Sequence, residues 1–344
     1  MIIFSIETSC DETAVAVMRN GRETLSGELF SQADMHALYG GVVPEIASRN
    51  HAAVIGRLSG LALTNAGIAK SEIDAVAVTY APGLIGALLV GVNFAKGLAM
   101  ALDVPLIPVH HIRGHIAANY IAYPELDPPF LCIIVSGGNS IIADVSGYTD
   151  IRIIGRSRDD AAGECFDKAA RILGLGYPGG PALDKLSHTG DETLFTLPRP
   201  VIEGFPYDMS FSGLKTAVVN IVHNAEQKDE SLDKASLAAA LAATVSDILV
   251  PRAMAAAKEL GRGKIAIAGG VAANSRIRAD FIKAAEAEGR TLFIPPLGLC
   301  GDNAAMIGCQ GYYEYLSGVR AGMDLNACAA MDADRGYDAV KNLT

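Results

Sequence analysis

Residues 130–147, FLCIIVSGGNSIIADVSG, decide the fold. Two β-branched runs flank a turn of small polar residues, the pattern of strand, tight turn, strand. Residues 1–21, MIIFSIETSCDETAVAVMRNG, have the same design, with CDE as the turn. The likeness continues downstream of each hairpin. DAVAVTYAPG (74–83) is a strand ending in a Pro-Gly loop, then an apolar helix over 84–102, then the strand VPLIPV (104–109). KIAIAGGVAAN (264–274) is a strand ending in a Gly-Gly loop, then the helix SRIRADFIKAAEAEG (275–289), then the strand TLFIPP (291–296). A polar turn and one more helix close each set, HHIRGHIAANYIA (110–122) and LGLCGDNAAMIGCQGYYEY (297–315). Strand pattern, loop type and element order agree while residue identity is negligible, which is the signature of a duplicated α/β unit.

The predicted architecture is therefore α/β, two lobes with a cleft between. The first lobe takes residues 1–128 and the second 129–318, with inserted helices over about 147–235; residues 319–344 form a weakly patterned, partly loose tail. Within the insertion, DDAAGECFDKAARILGLGYPGGPALDKLS (159–187) reads as two short helices around a Gly-Pro loop. The run 234–261 reads as helix, kinked or restarted at Pro251.

The chain has 344 residues, half of them hydrophobic and 19% charged, enough to build two cores. A net charge of −10 and an isoelectric point near 5.2 argue against indiscriminate nucleic-acid binding. The six cysteines include no CxxC pair, and the start meets acids at once, so reduced thiols and a cytoplasmic location are expected. The apolar run 81–102 contains Lys96 and several glycines and reads as a core helix rather than a membrane span.

The stretch VHHIRGHIAANY (109–120) sets His111 and His115 four apart, on one helix face. A zinc-peptidase pattern needs Glu directly after the first His; Ile112 stands there. The duplication makes a geometric prediction. Asp302 opens the second unit's equivalent helix, so pseudo-twofold symmetry would bring it to the two histidines across the cleft. Two imidazoles and one carboxylate suit iron or zinc with open positions for a ligand oxygen. Cys300 is a rival third ligand, of the kind that closes a structural zinc site. His110 is expected to point elsewhere and make an ordinary hydrogen bond.

Other motifs carry two readings each. VSGGNS (135–140) is a tight turn needing glycine for φ > 0, or a cradle of N–H groups for phosphate or carboxylate. AGGVAAN (268–274) suits a nucleotide loop, with Asn274 offered to a ribose or base. Asp159, Asp160, Glu164 and Asp167 form a solvated helix start or meet ligand hydroxyls. GLGYPG (174–179) matches GxGxxG but follows a helix, and SGLK (212–215) lacks the companions of a penicillin-binding site.

The hairpin and strand–helix repeats resemble the actin, sugar-kinase and heat-shock-ATPase superfamily. IETSCDET, GGVVPEIASRNH, PGLIGALLVG, VHHIRGH, VSGGNS, DDAAGECFDKAARILGLGYPGGP, SFSGLKTA, AGGVAANSRIR and CGDNAAMIG narrow it further. Together, from residue 3 to about 310, they resemble the TsaD family, formerly known as Gcp. That resemblance implies transfer of a threonylcarbamoyl group from threonylcarbamoyl-AMP to N6 of adenosine 37 in tRNAs reading codons that begin with A. It implies a divalent metal, iron ahead of zinc, on His111, His115 and Asp302. It implies a donor site from Val135, Ser136, Gly137, Gly138, Asn139, Asp167, Gly180, Asp184 and Asn274, with Asn139 where many members have His. Implied partners are tRNA, a shorter TsaB-like paralogue and a small TsaE-like P-loop ATPase, with no membrane. Asp11 and Glu12, in the first hairpin turn, are the candidates for a general base. Arg152, Arg156, Arg158, Arg276 and Arg278 are local basic residues, and tRNA is expected to dock with help from partner subunits. An ATP-dependent small-molecule kinase of the same superfold, a metallopeptidase and a nucleotide-binding scaffold are the competing readings.

Overall fold

The computed structural model describes residues 1–337. Chain order begins with β1 (Ile2–Glu7), β2 (Glu12–Arg19), β3 (Glu23–Ser31), α1 (Ala33–Ala37), α2 (Pro44–Ala66), β4 (Ala75–Ala81), α3 (Ile85–Leu102), β5 (Leu106–His110) and α4 (His111–Ala122). It continues with β6 (Phe130–Val135), β7 (Ser140–Val145), β8 (Ile151–Arg156), α5 (Ala162–Ile172), α6 (Gly179–Ser187), α7 (Ser212–Gln227) and α8 (Lys234–Glu259). Then come β9 (Lys264–Ala268), α9 (Ser275–Ala287), β10 (Thr291–Phe293) and α10 (Ala304–Leu316).

Two five-stranded sheets share one order. The first runs β3-β2-β1-β4-β5 and the second, read from its other edge, β8-β7-β6-β9-β10. In the first, β1 pairs antiparallel with β2 and parallel with β4, and β4 runs parallel to β5. In the second, β9 lies parallel to both β6 and β10. Each repeat holds a third hairpin strand, β3 or β8, that the sequence reading did not assign. Strand β8 lies inside the expected insertion of 147–235, so the inserted helices begin only after Arg156. Edge strands carry mixed polar residues, and a pattern such as ETLSGELFS is weak by periodicity alone. Pro251 lies within α8, which runs on through it.

Period-2 alternation sorts the first sheet's faces. Phe4, Ile6, Val15, Val17, Val76 and Val78 pack against Ile55, Leu58 and Ala62 of α2 and Val92 and Ala95 of α3. The opposite face, Ile3, Ala14, Ala16, Ala75, Ala77 and Ile107, packs under Ala304, Ala305, Met306 and Ile307 of α10. That face is lined with small residues, and α10 meets it with glycine. A Cβ on Gly308 would lie 2.5 Å from Met18 Cγ, and one on Gly311 2.7 Å from Ala77 Cβ. Helix α10 therefore approaches this sheet more closely than larger residues would permit.

That packing changes the domain boundaries. One compact unit comprises Met1–Pro128, Val145–Arg152 and everything described from Pro295 on; the other comprises Pro129–Asp144 and Ile153–Ile294. Residues 295–318, expected in the second lobe, belong to the first unit. The expected loose tail is also corrected, as far as residue 337; residues 338–344 lie outside the described residues. Leu325, Ala333 and Tyr337 are buried. Ala321 bridges Leu106, Cys328 N–H donates to Tyr80 O, and the Tyr337 ring meets Tyr80 edge-on.

Two helices, α3 and α8, are long and apolar enough to cross a membrane. Most of the apolar stretch of α8 is buried in the protein; that of α3 is only one-third buried, over β4 and α2.

Candidate metal centre and glycine loops

Strand β5 ends at His110 and α4 begins at His111. His110 caps α4, its Nδ1 accepting from Ile112 N–H at 3.2 Å, and its Nε2 lies 3.1 Å from Met331 O. Burial pushes His110 down to about 3, so it stays neutral, and it points away from the other two histidines as expected.

One turn apart on α4, His111 and His115 set their rings edge to face, centroids 4.6 Å apart. Asp302 precedes α10, whose N-cap Asn303 accepts from Met306 N–H at 2.9 Å. Asp302 Oδ1 lies 3.5 Å from His111 Nε2 and 3.2 Å from His115 Nε2. Among the described residues this is the set of three ligand side chains whose donor atoms all fall within 4.8 Å of one another. All three belong to the first unit, so the expectation that Asp302 arrives from the second lobe is corrected. It reaches the histidines because α10 packs on the first sheet beside α4.

The donor set fits a metal ion. Buried His115 Nδ1 has no hydrogen-bond partner, and Nε2 has no well-formed one, facing only Asp302 Oδ1 at 3.2 Å, a costly state for an imidazole with no other ligand. His111 Nδ1 lies 3.0 Å from Glu7 Oε2 and 3.1 Å from Ser9 Oγ, which turns Nε2 toward Asp302. A carboxylate behind a histidine is the arrangement that fixes the tautomer of a metal ligand. Alternation on β1 puts Glu7 on the face of Ile3 and Ser5, under α10. Burial would raise Glu7, but His111 outweighs it and holds it below the usual carboxylate value. Thr79 Oγ1 also donates to Glu7, at 2.6 Å. Burial likewise lowers His111, but Asp302 and Glu7 outweigh it and raise it to about 9. Burial raises Asp302, and the two histidines reverse that and bring it to about 2. Cys300, the rival ligand, instead turns its thiol to the Pro295 and Pro296 carbonyls, 3.6 Å from each.

Sequence reasoning overlooked Glu7. Its signal is a charged residue closing an otherwise apolar inner strand, where it must have a partner. Asp11 sits in the β1–β2 turn and Glu12 opens β2. Burial, then Asp11 and Asp302, push Glu12 up to about 9, so it keeps its proton at neutral pH.

The second unit gathers backbone rather than charge. The β6–β7 turn closes with Ser136 N–H donating to Asn139 O at 2.8 Å. Neither Gly137 nor Gly138 has a positive φ, so the expected conformational need for glycine in that turn is not met. An added Cβ at either would touch nothing within 4 Å. The constrained glycines lie beside the turn. Gly269 has φ +89°, with a Cβ position 2.3 Å from Val135 O, and a Cβ on Gly163 would lie 2.4 Å from Ser136 O.

The expected donor residues divide. Val135–Asn139 lie together, with Gly163 and Gly269 pressed against them. Asp167 Oδ1 accepts from Gly179 and Gly180 N–H at 2.9 and 3.2 Å, holding the start of α6. Asp184 accepts from Ser275 N–H at 3.1 Å and from its hydroxyl at 2.8 Å, at the start of α9. Asn274 caps α9, its Oδ1 accepting from Ile277 N–H at 3.0 Å. Asp159 accepts from Phe211 N–H at 2.8 Å and Ser212 Oγ at 2.7 Å, while Asp160 and Glu164 both pair with Lys168. Of the basic residues, Arg158 pairs with Asp208 and Arg276 with Glu192 and Asp280.

A doubled five-strand order with helices between its parallel strands defines the actin, sugar-kinase and heat-shock-ATPase class. Solved structures agree on the fold. HypF of T. kodakarensis matches with TM-score 0.61 at 17% identity, over 94% of this chain and 49% of its own. Component A of the Acidaminococcus fermentans (R)-2-hydroxyglutaryl-CoA dehydratase matches with TM-score 0.54 at 16% identity, over 92% and 98%. Within that class, the model of the TsaD family, tRNA N6-adenosine threonylcarbamoyltransferase, matches residues 23–309, and the chain belongs to this family. The threonylcarbamoyltransferase of Clostridium botulinum strain Hall is 49% identical over 94% of this chain and 96% of its own. That of Clostridium perfringens strain ATCC 13124 is 50% identical over 95% and 96%.

Proposed function

We propose that this chain is an acyltransferase that moves the threonylcarbamoyl group of threonylcarbamoyl-AMP onto N6 of adenosine 37, in tRNAs reading codons that begin with A. Near-half identity to named threonylcarbamoyltransferases over 94% of the chain carries this reading. The donor is a mixed anhydride, already activated. The N6 amine adds to the carbamoyl carbon, the bond from that carbon to the phosphate oxygen breaks, AMP leaves, and the amine gives up one proton. The site has to position two partners and stabilise charge on oxygen.

His111, His115 and Asp302 would hold the metal, iron(II) ahead of zinc, two histidines and one carboxylate being the pattern of non-haem iron(II) sites though zinc also accepts it. Bound there, it would supply a Lewis acid and a template for the oxygens of the acyl end. Glu7 keeps His111 Nε2 available, and Thr79 and Ser9 hold Glu7 and His111 in turn. Glu12 retains its proton at neutral pH, which leaves Asp11 as the candidate acceptor for the proton from N6.

The nucleotide end is assigned to the second unit: the turn Val135–Asn139 with Gly180 and Asn274. Asp167 and Asp184 serve that site by fixing the loops that start α6 and α9. Asn139 can hydrogen-bond but does not carry a proton as histidine would.

The partners are tRNA, a TsaB-like paralogue and a TsaE-like ATPase, in the cytoplasm. An acidic chain whose Arg158 and Arg276 are already paired needs help to hold a polyanion. The test combines the chain, its partners, threonylcarbamoyl-AMP and unmodified tRNA, with mass spectrometry of the digested nucleosides. Threonylcarbamoyladenosine should form with the parent chain and vanish with His111→Ala. Nucleotide turnover without tRNA would favour a kinase instead.

A further inference from the structure

We propose that Arg113 and Glu314 are positioning residues for the metal centre, acting as a buried clamp that sets α10 against α4. This rests on reading His111, His115 and Asp302 as metal ligands. Helix α4 carries two of those ligands and α10 follows the third, so the relative placement of the two helices decides whether the donor atoms converge. Close glycine packing sets how near the helices lie, and a directional polar contact can add a fixed register to it. Gly114 marks how closely the two helices approach: a Cβ there would lie 2.7 Å from Ile307 Cδ1 and 3.3 Å from Met306 Cγ.

Arg113 stands between the histidines in sequence and projects from the other side of α4. Its guanidinium pairs with Glu314 Oε1 at 3.1 Å, both side chains at least nine-tenths buried. Nε donates to Ala333 O at 2.8 Å, and the same terminal nitrogen that meets Glu314 donates to Thr149 O at 3.2 Å. Glu314 Oε1 also accepts from Gln310 Nε2 at 2.9 Å, and that amide donates to Tyr148 O at 3.0 Å. One cation thus ties α4 to α10, to the residue 145–152 segment and to the C-terminal segment at Ala333.

Removing one partner from a buried pair strands the other charge, whereas replacing both with apolar residues of similar volume often preserves or raises stability. This separates positioning from folding. The variants are Arg113→Lys and the double change Arg113→Met with Glu314→Leu. The probe is Co2+ alone, titrated into the metal-free full chain and followed by its visible ligand-field absorption, with Zn2+ competition and thermal unfolding of the metal-free protein.

The double variant should melt near the parent and bind Co2+ about 10–100-fold more weakly, the usual cost of losing support behind a metal ligand. Its ligand-field bands should shift or broaden. Arg113→Lys, which keeps the charge but not the fork, should fall between the two. A folded double variant with parental affinity and spectrum overturns the clamp while leaving the metal centre intact. A parent chain that binds no ion overturns the metal reading and the clamp with it.

Discussion

The two units share one strand order and diverge in what they place at the same position. At the end of β1 the first unit puts Glu7, Ser9 and a turn of acids; at the end of β6 the second puts Val135 and a turn of glycines. The first then concentrates ionisable side chains: Glu7, His111 and His115 are buried and meet the partly buried Asp302. The second directs its carboxylates to helix starts and leaves backbone at the turn, with Gly163 and Gly269 pressed beneath it. Between the third and fourth strands, the first unit inserts α1 and α2 and the second inserts α5 to α8. One topology therefore carries clustered ionisable side chains at one end and backbone at the other, which the proposed function would use for a cation and an anion, and side-chain chemistry at equivalent strand ends makes the difference.

The sharpest way to break the contrast is Asp302→Ala. It takes the anionic ligand from the first unit and should lower transfer about 1,000-fold or more, since several kcal/mol of charge stabilisation go with the metal. AMP binding by the second unit, read by calorimetry, should stay near parental. Equal losses in both would mean the units do not divide the work.

Gly269→Ala attacks the other end. A methyl 2.3 Å from Val135 O at φ +89° has nowhere to go. The expected loss is about 2–5 kcal/mol of stability in urea unfolding, with weaker AMP binding. Metal affinity should hold in whatever fraction stays folded.

The charged end also predicts a pH dependence that the backbone end lacks. His111 is raised to about 9 in the metal-free chain, so at neutral pH it is protonated and the metal must displace that proton. Affinity should rise with pH by up to about tenfold per unit and level off near pH 9. Calorimetry in two buffers of different ionisation enthalpy should count about one proton released. A flat profile from pH 6 to 9 would remove His111 from the ligand set.

A smaller effect is expected at Asp159. Burial raises it, but bonds from Ser210, Phe211 and Ser212 outweigh that and hold it below the usual carboxylate value. Its stabilisation is therefore complete above the unfolded value of about 3.9 and is lost as pH falls through the lower folded value. Asp159→Asn should cost about 1 kcal/mol at neutral pH, with the gap to the parent closing in acid. A gap that stays constant in acid would show that the charge is irrelevant to holding α7.

The site was only partly legible in advance. His111 and His115 could be read because a four-residue spacing encodes one helix face. Asp302 could be nominated only through the repeat, and its route to the histidines was misjudged. Glu7 is a residue whose meaning depends on Thr79 and His111, 72 and 104 positions away. The glycines at 137 and 138 were credited with a backbone need that belongs instead to Gly269.

Local pattern by itself determined the duplication, the inner strands, most of the helices and the paired histidines, because alternation, helical spacing and turn chemistry are properties of neighbouring residues. Tertiary structure alone decided that α10 and the tail close on the first sheet, and so where the third ligand arrives. An apolar helix face records that it must be covered, not by which sheet. That choice came from Gly308 fitting against Met18 and Ser5 and Gly311 against Ala77, on strands laid down far earlier in the chain, a match visible only once both surfaces exist.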